Sequence, residues 1–524
     1  MRTQSSVSLC CALARLRSAT RIGASILLFT TFAAGQTGQS LPERPKPDQL
    51  PLSTVPSGSV TSGQATAPVT GTESVNTLNS SVQIQGQFQG SIPKGTRTKE
   101  PLPLSLEESI RRGLVYNLGT IGAEHAEREA RSQRLRALAD LLPDVNGLIA
   151  ATAQQVSLAT FGFSSSTIPG IPFRQTVIGP FNFFTAGATL TQTLDLTAIR
   201  NYRSSKETTH AARFDIRDSK DLVILGVGGS YLLVMASAAR VESARAQVET
   251  SRALYDQAVD RNRAGLNARI DVDRSKVELQ TQQLRVISLE TDLANQKLAL
   301  GRLIGLPLGQ EFTITTPLEY HATSVVLDDA LNEAFEARSD LHAADARVRA
   351  AEQARKAAVS ERAPAFLLGG NYAVAGLNPA QSHGTFAVTG GVEFPIWRSG
   401  RIEADIAQAD AVLAQRRAEY EDTYGRVDFD VRSAFLALNA ANEQVKVAES
   451  NQGLARSTLE QARDRFVAGV TDTIEVVQAQ ESVAVAEQDY ISSLYAHHLA
   501  LISLARAKGN SEQGISELLR PNAP

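Results

Sequence analysis

Cysteine is nearly absent from this sequence. Cys10 and Cys11 are the only two, adjacent and close to the N-terminus. A chain that loses that end has no thiol, which excludes a disulfide framework and a cysteine-based metal site. Aromatic residues are scarce too, at 6%, and Trp397 is the single tryptophan. A core of bulky side chains is therefore disfavoured, and the abundant alanine suits long, closely packed helices. Neither sign of charge dominates: a net charge of −3 over 524 residues gives no electrostatic preference for nucleic acid or anionic lipid. His-Glu-x-x-His, Gly-x-Ser-x-Gly and a phosphate-cradling Gly-Lys-Ser are missing, and the seven histidines are scattered. His497 and His498 are neighbours on a helix and cannot share one metal face. Gly226-Val227-Gly228-Gly229 lies inside a helical stretch and lacks the preceding strand that a dinucleotide motif requires. No catalysis, no cofactor, no metal and no nucleic-acid partner are expected.

The N-terminus has the order of a secretory signal. Arg15, Arg17 and Arg21 precede a short apolar core, Ile22 to Phe32, and Ala33-Ala34-Gly35 offers small residues for cleavage. Residues 1–35 are read as a signal peptide. Cys10 precedes the apolar core, so a lipoprotein anchor there is not expected. Residues 36–103 are rich in Ser, Thr, Gln, Gly and Pro and show little apolar periodicity. That composition predicts a disordered extension, because little apolar surface is available to offset chain entropy; a structured cap or plug is the alternative.

The rest of the chain repeats itself. A shift of 204 residues superposes Arg252, Gln257, Asp260, Arg261, Ala264 and Gly265 on Arg456, Gln461, Asp464, Arg465, Ala468 and Gly469. A shift of 221 superposes Ala123, Arg128, Arg134 and Pro143 on Ala344, Arg349, Arg355 and Pro364. Copy one spans 104–310, a linker covers 311–324, copy two spans 325–512, and 513–524 is a tail. Each copy reads as helix, two strands, long helix, tight turn, long helix. The first helix begins near Ser105, with Glu108 at capping-box spacing, and ends before Pro143. Its counterpart runs from Leu327 to Pro364. Period-two alternation follows each proline: Phe184, Ala186, Ala188 and Leu190 alternate with threonines and glycine, and Phe386, Val388 and Val392 alternate with polar or small residues. Strands are expected over 144–160 and 181–196 in copy one, and over 365–376 and 384–396 in copy two. Long helices then run from Thr197 to Ala264 and from Arg401 to Gly469. Gly265 and Gly469 interrupt them, and return helices run to Ile304 and Lys508. At 1.5 Å per residue the longer helices reach about 100 Å.

Leu222 to Ala239 is apolar enough to cross a membrane. Its repeat partner, Tyr424 to Ala441, carries Arg426, Asp428, Asp430 and Arg432. One repeat position cannot face lipid in one copy and carry charge in the other, so this helix is expected to be buried in protein. Membrane contact then falls to the strands, which must close into a barrel to pair their backbone. Four strands cannot enclose a pore. Several copies must therefore share one barrel.

With this layout the chain resembles the TolC-like outer-membrane efflux family, also called outer membrane factors, over residues 104–512. The closest local matches are the corners Arg261-Asn262-Arg263-Ala264-Gly265-Leu266 and Arg465-Phe466-Val467-Ala468-Gly469-Val470, followed by Ile270-Asp271-Val272 and Ile474-Glu475-Val476. Phe394-Pro395-Ile396-Trp397-Arg398-Ser399-Gly400-Arg401 resembles the family's strand-to-helix junction; Leu194-Asp195-Leu196-Thr197 lacks its glycine. The resemblance implies a mainly α fold with β: a homotrimer whose 12-stranded β-barrel in outer-membrane lipid continues into a long α-helical barrel, a coiled-coil tunnel in the periplasm. It implies a channel for passive efflux or type I secretion, docked to a periplasmic adaptor protein and an inner-membrane transporter. It also implies a tip gate at Glu475, with Gln478 and Asp271 beside it, and adaptor docking through Arg261, Ala264, Gly265, Leu266, Arg465, Ala468, Gly469 and Val470. The two glycines equally serve as helix C-caps, and Arg261 and Arg465 suit helix C-termini as cations. A periplasmic coiled-coil adaptor or scaffold is the alternative reading; it needs no alternating strands.

Overall fold

The structure, a computed structural model, describes residues 58–66, 78–157, 177–265, 268–307, 309–315, 320–321, 325–471 and 473–512. The expected signal peptide, the tail 513–524, Leu266 and the strand ends 158–160 lie outside the described residues. In chain order the elements are β1 (Val60–Thr66), β2 (Leu78–Ile84), β3 (Leu102–Leu104), α1 (Leu106–Tyr116), α2 (Leu118–Ala139), β4 (Asp144–Ser157), β5 (Val177–Leu194), α3 (Leu196–Arg263) and α4 (Arg269–Leu303). There follow β6 (Phe312–Ile314), α5 (Leu327–Ala337), α6 (Ser339–Ser360), β7 (Ala365–Gly376), β8 (Ser382–Glu393), α7 (Arg401–Val467) and α8 (Thr473–Lys508). The series helix, helix, strand, strand, long helix, return helix runs through the chain twice.

Two compact units result. One contains residues 143–193 and 366–393 and is a four-stranded sheet in the order β4-β5-β7-β8. β4 and β5 are antiparallel from Asp144 opposite Thr191, with one shift of register between Gln154 and Val156. Its large apolar side chains point away from protein: Ile149, Phe386 and Val388 are 79%, 80% and 73% exposed. An apolar sheet surface of this kind marks a lipid or protein contact.

The second unit holds the helices. Its described core centres on α3, where Val223, Ile224, Val227, Tyr231, Val234 and Ala236 are buried. The apolar stretch of α3 is thus internal. The charged partner stretch of α7 ties its ions locally, Arg426 to Asp422 and Arg432 to Asp428, and sends Asp430 to Arg338 of the preceding helix pair.

Strand-to-helix junctions differ between the copies. Asp195 leaves the strand to cap α3, its Oδ1 accepting the Ala198 N–H at 2.5 Å. In α7 the cap is Gly400, with φ +78°, and Phe394 to Ser399 form a loop instead of extending the strand. The missing glycine of copy one is therefore replaced by a carboxylate that satisfies a first-turn N–H.

Three expectations need correction. First, each opening helix is broken. Ser105 caps α1 as the capping-box spacing requires, its Oγ accepting from Glu108 N at 3.2 Å. The helix then stops at Asn117, which adopts an extended backbone; the copy-two break is at Arg338, 221 positions later. Both residues are buried. Asn117 Nδ2 donates to the carbonyls of Phe88 and Leu303 at 2.9 and 3.3 Å, and its Oδ1 accepts the Gly119 N–H at 2.8 Å. Arg338 forks to Asp340 at 2.6 Å and to Asp430 at 2.8 Å. Second, the expected disordered extension 36–103 is folded over 58–66 and 78–103. β1 and β2 pair antiparallel, and Val60 and Phe88 enter the core. Sparse apolar anchors suffice because the helix surfaces they meet carry glycine at the contact. Third, the linker 311–324 contains β6, which pairs in parallel with β3 and buries Phe312.

Replacing Asn117 by Ala strands two buried carbonyls and a helix N–H. A loss of about 3 kcal/mol is expected, seen as a lower temperature for loss of the helical circular-dichroism signal in detergent; an unchanged midpoint refutes this role.

Candidate functional site

The two helix corners are built by backbone chemistry. α3 ends at Arg263; Ala264 closes it by donating to Asp260 O, and Gly265 turns the chain with φ +70°, donating to Asn262 O. The second corner is a complete Schellman arrangement: Ala468 N donates to Asp464 O, Gly469 N to Phe466 O and Val470 N to Arg465 O, with Gly469 at φ +75°. A left-handed backbone here favours glycine. Around both glycines the space a side chain would occupy is open, so conformation and not crowding selects them. Val470 is 70% exposed, an apolar knob beyond the turn.

The corners lie side by side, because Arg261 of the first reaches the second. Its guanidinium donates to Phe466 O at 2.6 Å and Val467 O at 2.7 Å, and sits 4.5 Å from the Phe466 ring centre. It therefore caps the end of α7, not of its own helix. Those carbonyls are the negative end of the α7 dipole. Arg465, the repeat equivalent, acts differently: it donates to Glu475 Oε1 at 2.7 Å across the turn. Thr471 Oγ donates to the other oxygen of Glu475. Glu475 is thus held within its own chain by one cation and one hydroxyl. Among the described residues, Asp271, its equivalent, pairs with Arg274 of its own helix at 3.9 Å. Gln478 is exposed one turn beyond Glu475. Below the corners, Leu254, Ala462, Phe466, Val476 and Ala479 form a small buried cluster that joins the two hairpins. The Arg261 bond escaped the sequence reading because its acceptors are backbone atoms in the other copy.

A second feature, unseen in the sequence, is a cavity of about 1900 Å³ among α2, α3, α6, α7 and α8, with β1 at its edge. Charged pairs line it. Arg347 donates to both oxygens of Asp215 at 2.6 Å, and Arg506 pairs with Asp218. Burial pushes Asp221 up to about 6, against the pull of Arg506. Burial also acts to raise Asp340, but the Arg338 hydrogen bonds, with Arg506 nearby, bring it down to about 2. The signal was the i, i+3 spacing of Asp215 and Asp218, which puts both on one helix face.

Comparison with known proteins agrees with this arrangement. A family model described as outer membrane efflux protein matches residues 122–306 and 330–510. The pyoverdine export outer membrane protein OpmQ of Pseudomonas aeruginosa is 24% identical over 422 residues, which cover 78% of this chain and 85% of that protein. The CmeC outer membrane channel of Campylobacter jejuni superposes with a TM-score of 0.68 at 15% identity, covering 87% of this chain and 98% of that one. The outer membrane protein VceC of Vibrio cholerae superposes with a TM-score of 0.67 at 18% identity, covering 77% and 96%. Both matched stretches hold a complete pair of long helices with its corner, and the chain belongs to the outer membrane efflux protein family.

Proposed function

We propose that this outer-membrane efflux protein is one subunit of a homotrimeric channel-tunnel, a passive duct that docks through its helix corners to a periplasmic adaptor and an inner-membrane transporter. The observation that carries the reading is the four-stranded sheet with large exposed apolar side chains. In lipid its edges need partners, and three copies supply twelve strands, enough to enclose a pore. Exposed Trp397, beside the end of β8, suits a membrane–water boundary.

The helices point to the same assembly. Ile270, Val277, Leu284 and Leu298 lie on the heptad positions of α4, and each is more than half exposed. Val447 and Leu454 of α7, one heptad apart, are likewise exposed. A seven-residue apolar repeat, interrupted here by Thr291, suits the seam of a coiled coil. Two different seams on one chain fit a head-to-tail contact, α7 of one copy against α4 of the next, which closes into a ring. A periplasmic adaptor has no use for the apolar sheet. The relative named for pyoverdine export favours a small solute over a polypeptide as cargo.

At the tip, Glu475 acts as one member of a charged clasp with Arg465 and Thr471, and three clasps around the axis form the gate. Gln478 and Asp271 extend the polar rim. Arg261 holds the two corners together while closed, and Ala264, Gly265, Leu266, Ala468, Gly469 and Val470 present the docking surface.

Leu284→Asp is expected to shift the detergent-purified protein from trimer to smaller species by native mass spectrometry. A single-subunit mass for the unaltered protein sinks the trimer. Arg261→Ala removes two charge-assisted hydrogen bonds of about 2 kcal/mol each. Longer open times in planar bilayers are expected; unchanged gating removes Arg261 from the closed state. Glu475→Gln is expected to weaken block by divalent cations, and undiminished block excludes Glu475 from the gate.

A further inference from the structure

The N-terminal hairpin β1–β2 precedes the residues that the family model matches, and it packs on α3. Around α3, at about 100° per residue, Val223, Val227 and Tyr231 share one narrow face. Val223 and Val227 pack on Gly113 of α1, and Tyr231 Oη donates to Leu104 O in β3 at 3.0 Å. Gly226 and Gly229 lie roughly 100° to 160° away from Val227, and it is the hairpin that meets them. A methyl at Gly226 would come within 3.3 Å of Ile84 and 3.5 Å of Val60. At Gly229 it would collide with Val82. Asp215, Asp218 and Leu222, which line the large cavity, share that same far face, and so do Ser59, Thr61 and Ser62 at the cavity's edge. Ser503 Oγ of α8 donates to Ser62 Oγ at 2.8 Å.

The chain changes sides between the hairpin and β3. Asn117 donates to both Phe88 O and Leu303 O, Leu118 N donates to Gly90 O, and Ser91 Oγ donates to Arg302 O. Further on, Ile92 N donates to Tyr116 O, and Lys94 N to Gly305 O. Residues 88–94 therefore run through the gap where α4 ends and α2 begins. β3 and α1 sit on one side of the helix layer; the hairpin and the cavity sit on the other.

We propose that the hairpin is a polar constriction inside the conduit, threaded through the helical wall at the α4–α2 junction and contributing to which solutes pass. The proposal rests on the reading of the chain as a ring-forming duct, with the cavity face as part of its inner wall. Three such hairpins, each presenting Ser59 and Thr61 while Ser62 ties it to α8, narrow the passage and coat it with hydroxyl groups. Uncharged hydroxyls bind polar solutes weakly and without preference for charge, which suits a passage that must also release its cargo. The glycines at 226 and 229 are the seats that admit the hairpin against the wall.

The test uses the full chain with Cys10→Ser and Cys11→Ser. Thr61→Cys is placed on the hairpin and Ser433→Cys on the exposed cavity face of α7. Single-channel current is recorded as a cationic methanethiosulfonate reagent is added, and labelling is verified by intact mass. Stepwise loss of current at both positions is expected. Loss at Ser433→Cys with a labelled but silent Thr61→Cys overturns the constriction and leaves the duct reading intact. Labelled but silent channels at both positions overturn the inner-wall assignment itself. A second variant, Gly226→Leu, meets Ile84 and Val60 of the hairpin first and unseats the hairpin without cutting the chain. Higher conductance than the parent is expected, and equal conductance from an assembled channel counts against the constriction.

Discussion

The helical unit depends on close approach to a single stretch of α3. Between Leu222 and Ala239 this helix meets α1 on one face, α8 on another and the N-terminal hairpin on a third. A helix crowded from three sides cannot carry large side chains on all of them, because packed interiors leave no slack volume. Gly226, Gly228 and Gly229 solve the problem locally: they receive Ile84 and Val60, Ile502, and Val82. The intervening Val227 fills the hollow over Gly113 of α1. Each glycine weakens α3 by up to about 1 kcal/mol relative to alanine. Burial of Val223, Ile224, Val227 and Tyr231 in the same turns offsets that cost. The composition that makes this stretch look like a membrane helix is thus the composition of a fully surrounded one.

Periodicity was legible wherever one element faced one environment. The helix ends at Arg263 and Val467 and the strand starts at Asp144 and Ala365 lie within a residue or two of the expected positions. What could not be read was anything requiring two distant segments. The breaks at Asn117 and Arg338 occupy equivalent repeat positions, yet one is an amide holding carbonyls and the other a guanidinium holding carboxylates. Local propensity marks only Asn117, whose side chain favours a cap and accepts the Gly119 N–H; Arg338 reads as an ordinary helix residue. What holds each break in place is its partners: Phe88 and Leu303 in one case, Asp340 and Asp430 in the other. The folded part of residues 58–103 was hidden for the same reason. Its few apolar anchors are too sparse to form a core alone, and they become sufficient only against a surface prepared by glycine.

The same logic separates the two corners. Sequence identity between them suggested equal roles, and the turn geometry is indeed shared through Gly265 and Gly469. The arginines four residues earlier diverge because their neighbours do. Arg261 faces the exposed carbonyl end of α7 and the Phe466 ring; copy one has Asn262 where copy two has Phe466, so no reciprocal platform exists for Arg465. Arg465 turns to Glu475 instead, where Thr471 completes the pairing.

This asymmetry gives the tip two ties of different physical kind. The acceptors of Arg261 are the peptide carbonyls of Phe466 and Val467, so that tie joins α3 to α7 and breaks when one is displaced against the other. The Arg465 tie ends on a carboxylate that is 38% exposed, so water and ions screen it. The first tie joins the two corners, whereas the second closes a single one; on the proposed gate, only the first has to break for one helix pair to move past the other.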